Sequence, residues 1–230
     1  MNDKMNKKRK VNKFDPGIYN YCDRWCKKCS KTEKCYLYCR EQENRQELIE
    51  KGLDPDDFKN AFSMIEKELT EVKNQLDDLC KKHNIDTSDL GDEEERDQIV
   101  DKQIAKNKVN KVANQFCKDL SNWLGTRPPL YYNEYKDAYE NVAWHGPLMA
   151  TKIYRSLVGK YEAKLEKGEI REASKDDSKK SAYVAYRSAL ISLEALDLMD
   201  SRIVDFRIGK MIKQVKSVIK GIEKELLQQD

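Results

Sequence analysis

Cysteines are crowded near the amino end of this chain. Five of the seven lie within eighteen residues, in the spacing Cys22-x3-Cys26-x2-Cys29-x5-Cys35-x3-Cys39. Thiolates of this kind are the ligands that structural zinc sites and iron–sulfur clusters use. The spacing therefore predicts a metal centre held by Cys22, Cys26, Cys29 and Cys35. Cys39 lies four residues after Cys35, one turn further along a helix, and is an alternate ligand.

The first residues of the chain indicate the compartment in which these thiols work. Residues 1–13 are rich in Asn, Asp and Lys, and no stretch of the chain approaches eighteen apolar residues. We therefore expect no signal peptide, no membrane span and a cytoplasmic location. Thiols stay reduced in the cytoplasm, where clustered cysteines are typical of metal sites.

Disulfide bonding is the alternative chemistry for these thiols. Cys22-x3-Cys26 and Cys35-x3-Cys39 resemble the twin C-x3-C pairs of small helical-hairpin proteins of the mitochondrial intermembrane space. Cys29 would be left over in such a pairing, and the total of seven cysteines is odd. A chain of 230 residues is also long enough to build a core without disulfides. We therefore favour metal binding.

The cysteine spacing does not decide clearly between a structural zinc site and an iron–sulfur cluster. Structural zinc sites usually join two C-x2-4-C pairs across a loop of about a dozen residues or more. Here the first four cysteines span fourteen residues, a compact run typical of [4Fe–4S] proteins. We slightly favour the cluster, which predicts electron transfer or redox sensing, over zinc, which predicts a structural site.

Positive charge is concentrated in the same part of the chain. Residues 1–40 carry twelve Lys and Arg against four Asp and Glu, a net charge of +8, although the whole chain carries only +3. Basic and aromatic residues alternate there, which suits phosphate contact and base stacking in a nucleic-acid-associated module. No finger spacing, helix-turn-helix or RNP motif accompanies them. We favour the simpler interpretation that the lysines solubilise the segment and offset thiolate charge.

The rest of the chain has a helical pattern of apolar residues at i+3 and i+4 spacing. This pattern predicts helices over residues 41–50, 58–83, 92–125, 131–167, 177–200 and 204–226. We expect an all-α fold in which residues 41–230 form an elongated antiparallel bundle of five to six helices. Residues 1–40 form a separate basic, cysteine-rich metal-binding segment. A third alternative function is a helical interaction protein with a structural zinc site.

A second polar site is predicted around His145. At 100° per residue, Asp137, Asn141 and His145 lie on one strip of a helix, where they could ligate a metal or position a proton. Glu194 on the next helix is a candidate partner if it points inward. Pro147 should kink or break the helix just after His145. We favour a buried packing role for His145 and a solvent-facing Glu194.

No catalytic motif identifies a reaction, so whether the chain is an enzyme stays open. The usual di-iron site of ferritin-like bundles needs Glu-x-x-His pairs on two helices, and the sequence contains none.

Two strings carry a resemblance to known proteins. Tyr21-Cys22-Asp23-Arg24-Trp25-Cys26-Lys27-Lys28-Cys29 and Glu140-Asn141-Val142-Ala143-Trp144-His145 resemble a group of uncharacterised bacterial proteins. Those proteins have an N-terminal Y-C-D-x-W-C-x-x-C segment ahead of a helical region. The resemblance implies a bacterial, cytoplasmic, metal-binding protein and implies no activity. Cys39 and the lysine-rich start of this chain have no counterpart in it.

Overall fold

The regular structure of this protein is helical. The computed structural model describes residues 14, 15, 17–83, 93–126 and 134–228, so the basic start of the chain lies outside the described residues. No β-strand occurs among them, which confirms the prediction of an all-α fold. They form seven α-helices rather than the predicted five to six.

The helices of the described residues are numbered in chain order. They are α1 (Tyr36–Glu50), α2 (Phe58–His83), α3 (Glu93–Lys106), α4 (Lys108–Thr126), α5 (Lys136–Leu165), α6 (Gly168–Asp200) and α7 (Phe206–Ile222). Three short 3-10 turns precede α1, and a π-helical turn, Glu223–Leu227, follows α7. In the part of the chain that the structure describes, none of the helices is both apolar enough and long enough to cross a membrane.

The additional helix results from a cap at Asn107. The sequence pattern predicted one helix over residues 92–125, because its apolar spacing continues through this point. Asn107 instead ends α3 by donating its N–H to the carbonyl of Ile104 at 3.0 Å. Its side-chain oxygen accepts the N–H of Asn110 at 3.0 Å and so caps α4. Asn is a favoured N-cap residue because its side chain satisfies an N–H group that has no partner within the helix.

The chain divides into two compact units. The first comprises residues 1–19 and 24–93, and the second comprises residues 20–23 and 94–230. Within the first unit, α1 is held to α2 by polar contacts. Arg40 Nε and Asn44 Nδ2 both donate to Glu68 Oε1, at 3.1 and 2.8 Å. Among the described residues of this unit, Leu48 and Met64 are the buried apolar side chains.

The second unit has a much larger core, built from α3 to α7. Its largest fully buried side chains are Phe116, Ile104, Leu120, Met149, Ile153, Leu157, Leu196, Met199, Ile208, Met211, Ile222 and Leu226. Helices α5 and α6 are joined by two residues and run antiparallel. They approach so closely that a Cβ on Gly159 would lie 2.6 Å from the carbonyl oxygen of Ser174. Small residues fill the buried face of α6: Ser178, Ser181, Ala182, Ala185, Ser188, Ala189 and Ser192.

Helix α5 continues through Pro147. A proline inside a helix removes one backbone hydrogen bond and costs about 3 kcal/mol in an isolated helix. Nevertheless α5 runs without interruption from Lys136 to Leu165, so the predicted break does not occur. On both sides of the proline the helix buries side chains in the core, including Val142, Met149 and Ile153. The burial of these side chains offsets the free-energy cost of the proline.

Candidate functional site

The cysteine segment consists of successive 3-10 turns. Cys26 begins the turn Cys26–Lys28, and Cys29 follows it and donates its N–H to the carbonyl of Cys26 at 3.2 Å. The next turn is Thr32–Lys34, and Cys35 donates its N–H to the carbonyl of Thr32 at 3.1 Å. Cys26 and Cys29 therefore lie at the two ends of one turn, and Cys35 lies at the end of the next.

The sulfur of Cys29 accepts a hydrogen bond from the backbone. The N–H of Lys31 donates to Cys29 Sγ at 3.4 Å, and the Cys29 side chain is exposed. Hydrogen bonds of this kind orient and tune metal-bound thiolates.

Cys35 and Cys39 lie at the amino end of α1. Cys35 occupies the N-cap position, with an extended backbone of φ −94° and ψ 112°. Cys39 lies one turn further and donates its N–H to the carbonyl of Cys35 at 3.0 Å. Its thiol points back to the carbonyl of Thr32, with 3.7 Å between sulfur and oxygen.

The segment around these cysteines has little packing of its own. No side chain of its three 3-10 turns is buried. The aromatic contacts in it are at the surface, with Lys28 Nζ 4.2 Å from the centre of the Trp25 ring and Phe14 edge-on to Tyr36 at 5.6 Å. The hydrophobic effect therefore supplies little of the free energy that would hold this segment in one conformation.

The predicted ligands are divided between the two compact units. Cys26, Cys29, Cys35 and Cys39 belong to the first unit, and Cys22 belongs to the second. Within residues 14–83, 93–126 and 134–228 no three Cys, His, Asp or Glu side chains are close enough together to hold a metal ion. The metal site therefore stays a prediction.

The structure also describes three of the thiols that the disulfide alternative concerns. Cys35 and Cys39 carry unpaired thiols, and so does Cys29 between the two C-x3-C pairs. No disulfide joins these three thiols to one another in the structure.

His145 lines a small polar cavity in the second unit. The His145 side chain is only 3% exposed. The residues that line the cavity are Tyr21, Asp23, His145, Val184, Arg187, Ser188 and Ile191. The cavity has room for roughly one water molecule. It could therefore hold a bound water among its polar groups, but it is too small for an organic substrate as it stands.

The other members of the predicted second polar site lie elsewhere. Asp137 and Glu194 are exposed and Asn141 is half-buried, and none of the three lines the His145 cavity. Glu194 faces solvent because the opposite side of α6 carries the buried residues Ser192, Ala195 and Leu196. The favoured interpretations of a buried His145 and an outward Glu194 thus agree with the structure.

Sequence reasoning missed Asp23, Tyr21 and Arg187 as neighbours of His145. Trp144 donates its indole N–H to the backbone carbonyl of Asp23 at 3.0 Å. Tyr21 packs edge-on against Tyr183 of α6, with 6.4 Å between ring centres. Residues 21–23 of the first resemblance string therefore meet Trp144 of the second string within the second unit, although more than a hundred residues separate them. Their co-occurrence was the only signal in the sequence for this contact.

Cys117 is a half-buried cysteine of α4. Burial raises the pKa of its thiol to about 11. The thiol contacts the carbonyl of Gly146 on α5, with 3.6 Å between sulfur and oxygen. A thiol with so high a pKa is a poor metal ligand and a poor nucleophile at neutral pH. Cys117 is therefore a packing residue of the α4–α5 contact.

Comparisons with known proteins give no relative. The chain matches no protein-family model, no curated protein and no solved structure.

Proposed function

We propose that this protein binds one metal centre through the cysteine segment, with Cys26, Cys29 and Cys35 as three of its ligands. The observation that carries the proposal is the turn between Cys26 and Cys29, after which the N–H of Lys31 is directed at the Cys29 sulfur. A C-x2-C pair in a tight turn, with an N–H bonded to sulfur, suits tetrahedral thiolate coordination.

We propose Cys39 as the fourth ligand. The sequence favours Cys22 for this role, with Cys39 as its substitute. Cys39 belongs to the same compact unit as Cys26, Cys29 and Cys35, whereas Cys22 belongs to the other. Cys39 also lies one helical turn after Cys35, and its sulfur lies 3.7 Å from the carbonyl oxygen of Thr32, in the turn that ends at Cys35. This assignment can be tested separately from metal binding itself.

Metal binding would complete the fold of the segment. Metal sites are rarely preformed in the absence of the metal, and the free energy of binding is then also free energy of folding. The segment buries none of the side chains in its 3-10 turns, so it would depend on this contribution. Lys27, Lys28, Lys31 and Lys34 supply positive charge beside the thiolates.

The compact spacing favours a [4Fe–4S] cluster, and zinc is the alternative. A cluster would give the protein electron-transfer or redox-sensing chemistry, with a potential set by groups such as the Lys31 N–H at the sulfurs. Zinc in a closed site of four cysteines would be structural.

The test is the metal content of the full-length protein purified without oxygen. We expect either four iron and four sulfide per chain with a brown colour, or one zinc per chain without colour. A chain that contains neither iron nor zinc, and that takes up neither on reconstitution, would contradict the proposal.

Single Cys→Ser variants then identify the ligands. Cys26→Ser, Cys29→Ser and Cys35→Ser should each lower the metal content by at least about tenfold, since a thiolate ligand is lost. Cys80→Ser is the matched control and should keep the metal. Loss of metal in Cys39→Ser with retention in Cys22→Ser assigns Cys39 as the fourth ligand, and the reverse result assigns Cys22.

A further inference from the structure

Helix α2 presents a continuous apolar face to solvent. Phe58 is 81% exposed, and the remaining six apolar side chains of this face are 49% to 64% exposed. The face comprises Phe58, Phe62, Ile65, Leu69, Val72, Leu76 and Leu79. Helix α1 does not cover it, because α1 is bonded to Glu68 and Lys67 on another side of α2. An apolar face of this size is typical of an interaction surface.

The spacing of this face is that of a coiled coil. Its seven residues alternate steps of four and three along the whole of α2, a strict heptad repeat. Phe62, Leu69 and Leu76 occupy the a positions, and Phe58, Ile65, Val72 and Leu79 occupy the d positions. A helix that packs on a flat protein surface needs a wider apolar stripe, with e or g positions also apolar. A narrow a and d seam instead fits a second helix with the same repeat.

We propose that α2 pairs with α2 of a second copy of this chain in a two-stranded antiparallel coiled coil. In this register Leu69 of one copy packs against Val72 of the second copy, and Phe62 packs against Leu79 of the second copy. Each of the six a and d residues from Phe62 to Leu79 then has an apolar neighbour. The surface that these six residues expose in a single chain is buried between the two chains.

Charge complementarity supports the second copy as the partner. At the e positions that flank the seam, Glu66 of one copy meets Lys73 of the second copy, and the twofold symmetry repeats the pair. No like charges meet in this register. In the described part of the chain, neither Glu66 nor Lys73 takes part in an ion pair, so both are available.

The position of α1 favours the antiparallel orientation over the parallel one. A parallel pair would place Lys73 beside Glu68 of the second copy, at a g position. Glu68 already accepts hydrogen bonds from Arg40 and Asn44, at 3.1 and 2.8 Å. The parallel arrangement would therefore compete with the contact between α1 and α2. In the antiparallel arrangement Lys73 lies instead beside Glu66, on the e flank of α2, where α1 makes no polar contact among the described residues.

The test measures the mass of the full-length protein, purified without oxygen so that it keeps any bound metal, by sedimentation at increasing concentration. Reducing agent is present so that disulfides cannot link the chains. We expect twice the chain mass. Leu69→Glu places a carboxylate from each copy in the apolar middle of the coiled coil. It should raise the dissociation constant of the dimer by about 100-fold. Leu198→Glu, at a residue of α6 that is 51% exposed, is the matched control and should leave the dimer unchanged.

Charge exchange tests the orientation. Lys73→Glu should weaken the dimer by roughly tenfold, since two attractive pairs become repulsive. Adding Glu66→Lys to this variant should restore the dimer if the pair is antiparallel. Rescue by Glu68→Lys instead would overturn the antiparallel register and indicate a parallel one. A wild-type chain that stays monomeric at all concentrations would overturn the whole proposal.

Discussion

Trp123 donates its indole N–H to Asp205 Oδ2 at 3.1 Å, and this bond joins α4 to the start of α7. Trp123 is 2% exposed. Asp205 is also the N-cap of α7, and its Oδ1 accepts the N–H of Arg207 at 3.0 Å. The Arg207 guanidinium bonds to both carboxylate oxygens. One carboxylate therefore caps a helix, binds a buried indole and pairs with an arginine.

Removing this carboxylate should destabilise the second unit. Asp205→Ala removes the helix cap and the acceptor of the Trp123 N–H, and we expect the free energy of unfolding to fall by about 1 to 3 kcal/mol. Urea unfolding followed by tryptophan fluorescence measures this. Asp200→Ala, at an exposed carboxylate in the last turn of α6, should change the stability little. Equal losses in both variants would contradict a specific role for Asp205.

Stability should depend on pH through the same residue. The Arg207 side chain, as the largest influence, lowers the pKa of Asp205 below its ordinary value of 3.8. A carboxyl group whose pKa is lower in the folded than in the unfolded state stabilises the fold. This stabilisation is complete above the pKa of the unfolded state and is lost as the pH falls through the pKa of the folded state. We therefore expect the free energy of unfolding to fall below about pH 4. Asp205→Asn should show a shallower fall over that range.

The close approach of α5 and α6 predicts opposite effects for two glycine substitutions. In Gly159→Ala the new Cβ would lie 2.6 Å from the Ser174 carbonyl oxygen, so the helices must move apart. We expect a loss of roughly 1 to 3 kcal/mol in the free energy of unfolding. At Gly125, in α4, nothing lies within 4 Å of an added Cβ, and Gly125→Ala should stabilise by about 0.5 to 1 kcal/mol. Thermal unfolding of both variants compares them directly.

Thiol reactivity should differ strongly between Cys29 and Cys117. Burial raises the pKa of Cys117 from 9.0 to about 11, which lowers its thiolate fraction at neutral pH by about 100-fold. Cys29 is exposed and its sulfur accepts the Lys31 N–H. In metal-free protein at pH 7, alkylation followed by peptide mass spectrometry should find Cys29 modified early and Cys117 late. Equal rates would show that Cys117 is not shielded as the structure places it.

A bound metal should protect the thiols of the proposed ligands from alkylation, and no other thiols. If the proposed metal centre is present, alkylation of Cys26, Cys29 and Cys35 should be slower in metal-bound than in metal-free protein, because bound thiolates are withdrawn from reaction. Cys117 should react at the same slow rate in both states. Uniform protection of every cysteine would instead indicate a general change of fold.

The sequence by itself determined the features that depend on neighbours a few residues apart. The i+3 and i+4 spacing of apolar residues such as Phe62, Ile65 and Leu69 is enough to specify a helix, since one turn contains 3.6 residues. The all-α fold follows from such spacing along the chain. The crowding of Cys26, Cys29 and Cys35 is equally local, and it remains the basis of the proposed metal centre.

Only the tertiary structure decided which residues meet across the chain. The contact between Trp144 and Asp23, the outward direction of Glu194 and the passage of α5 through Pro147 all depend on packing against distant segments. The break between α3 and α4 at Asn107 depends on neighbouring residues only. At this position, however, a side-chain cap competes with an apolar pattern that predicts one continuous helix. The periodicity of a helix specifies which residues share a face, and the neighbouring elements determine what that face contacts.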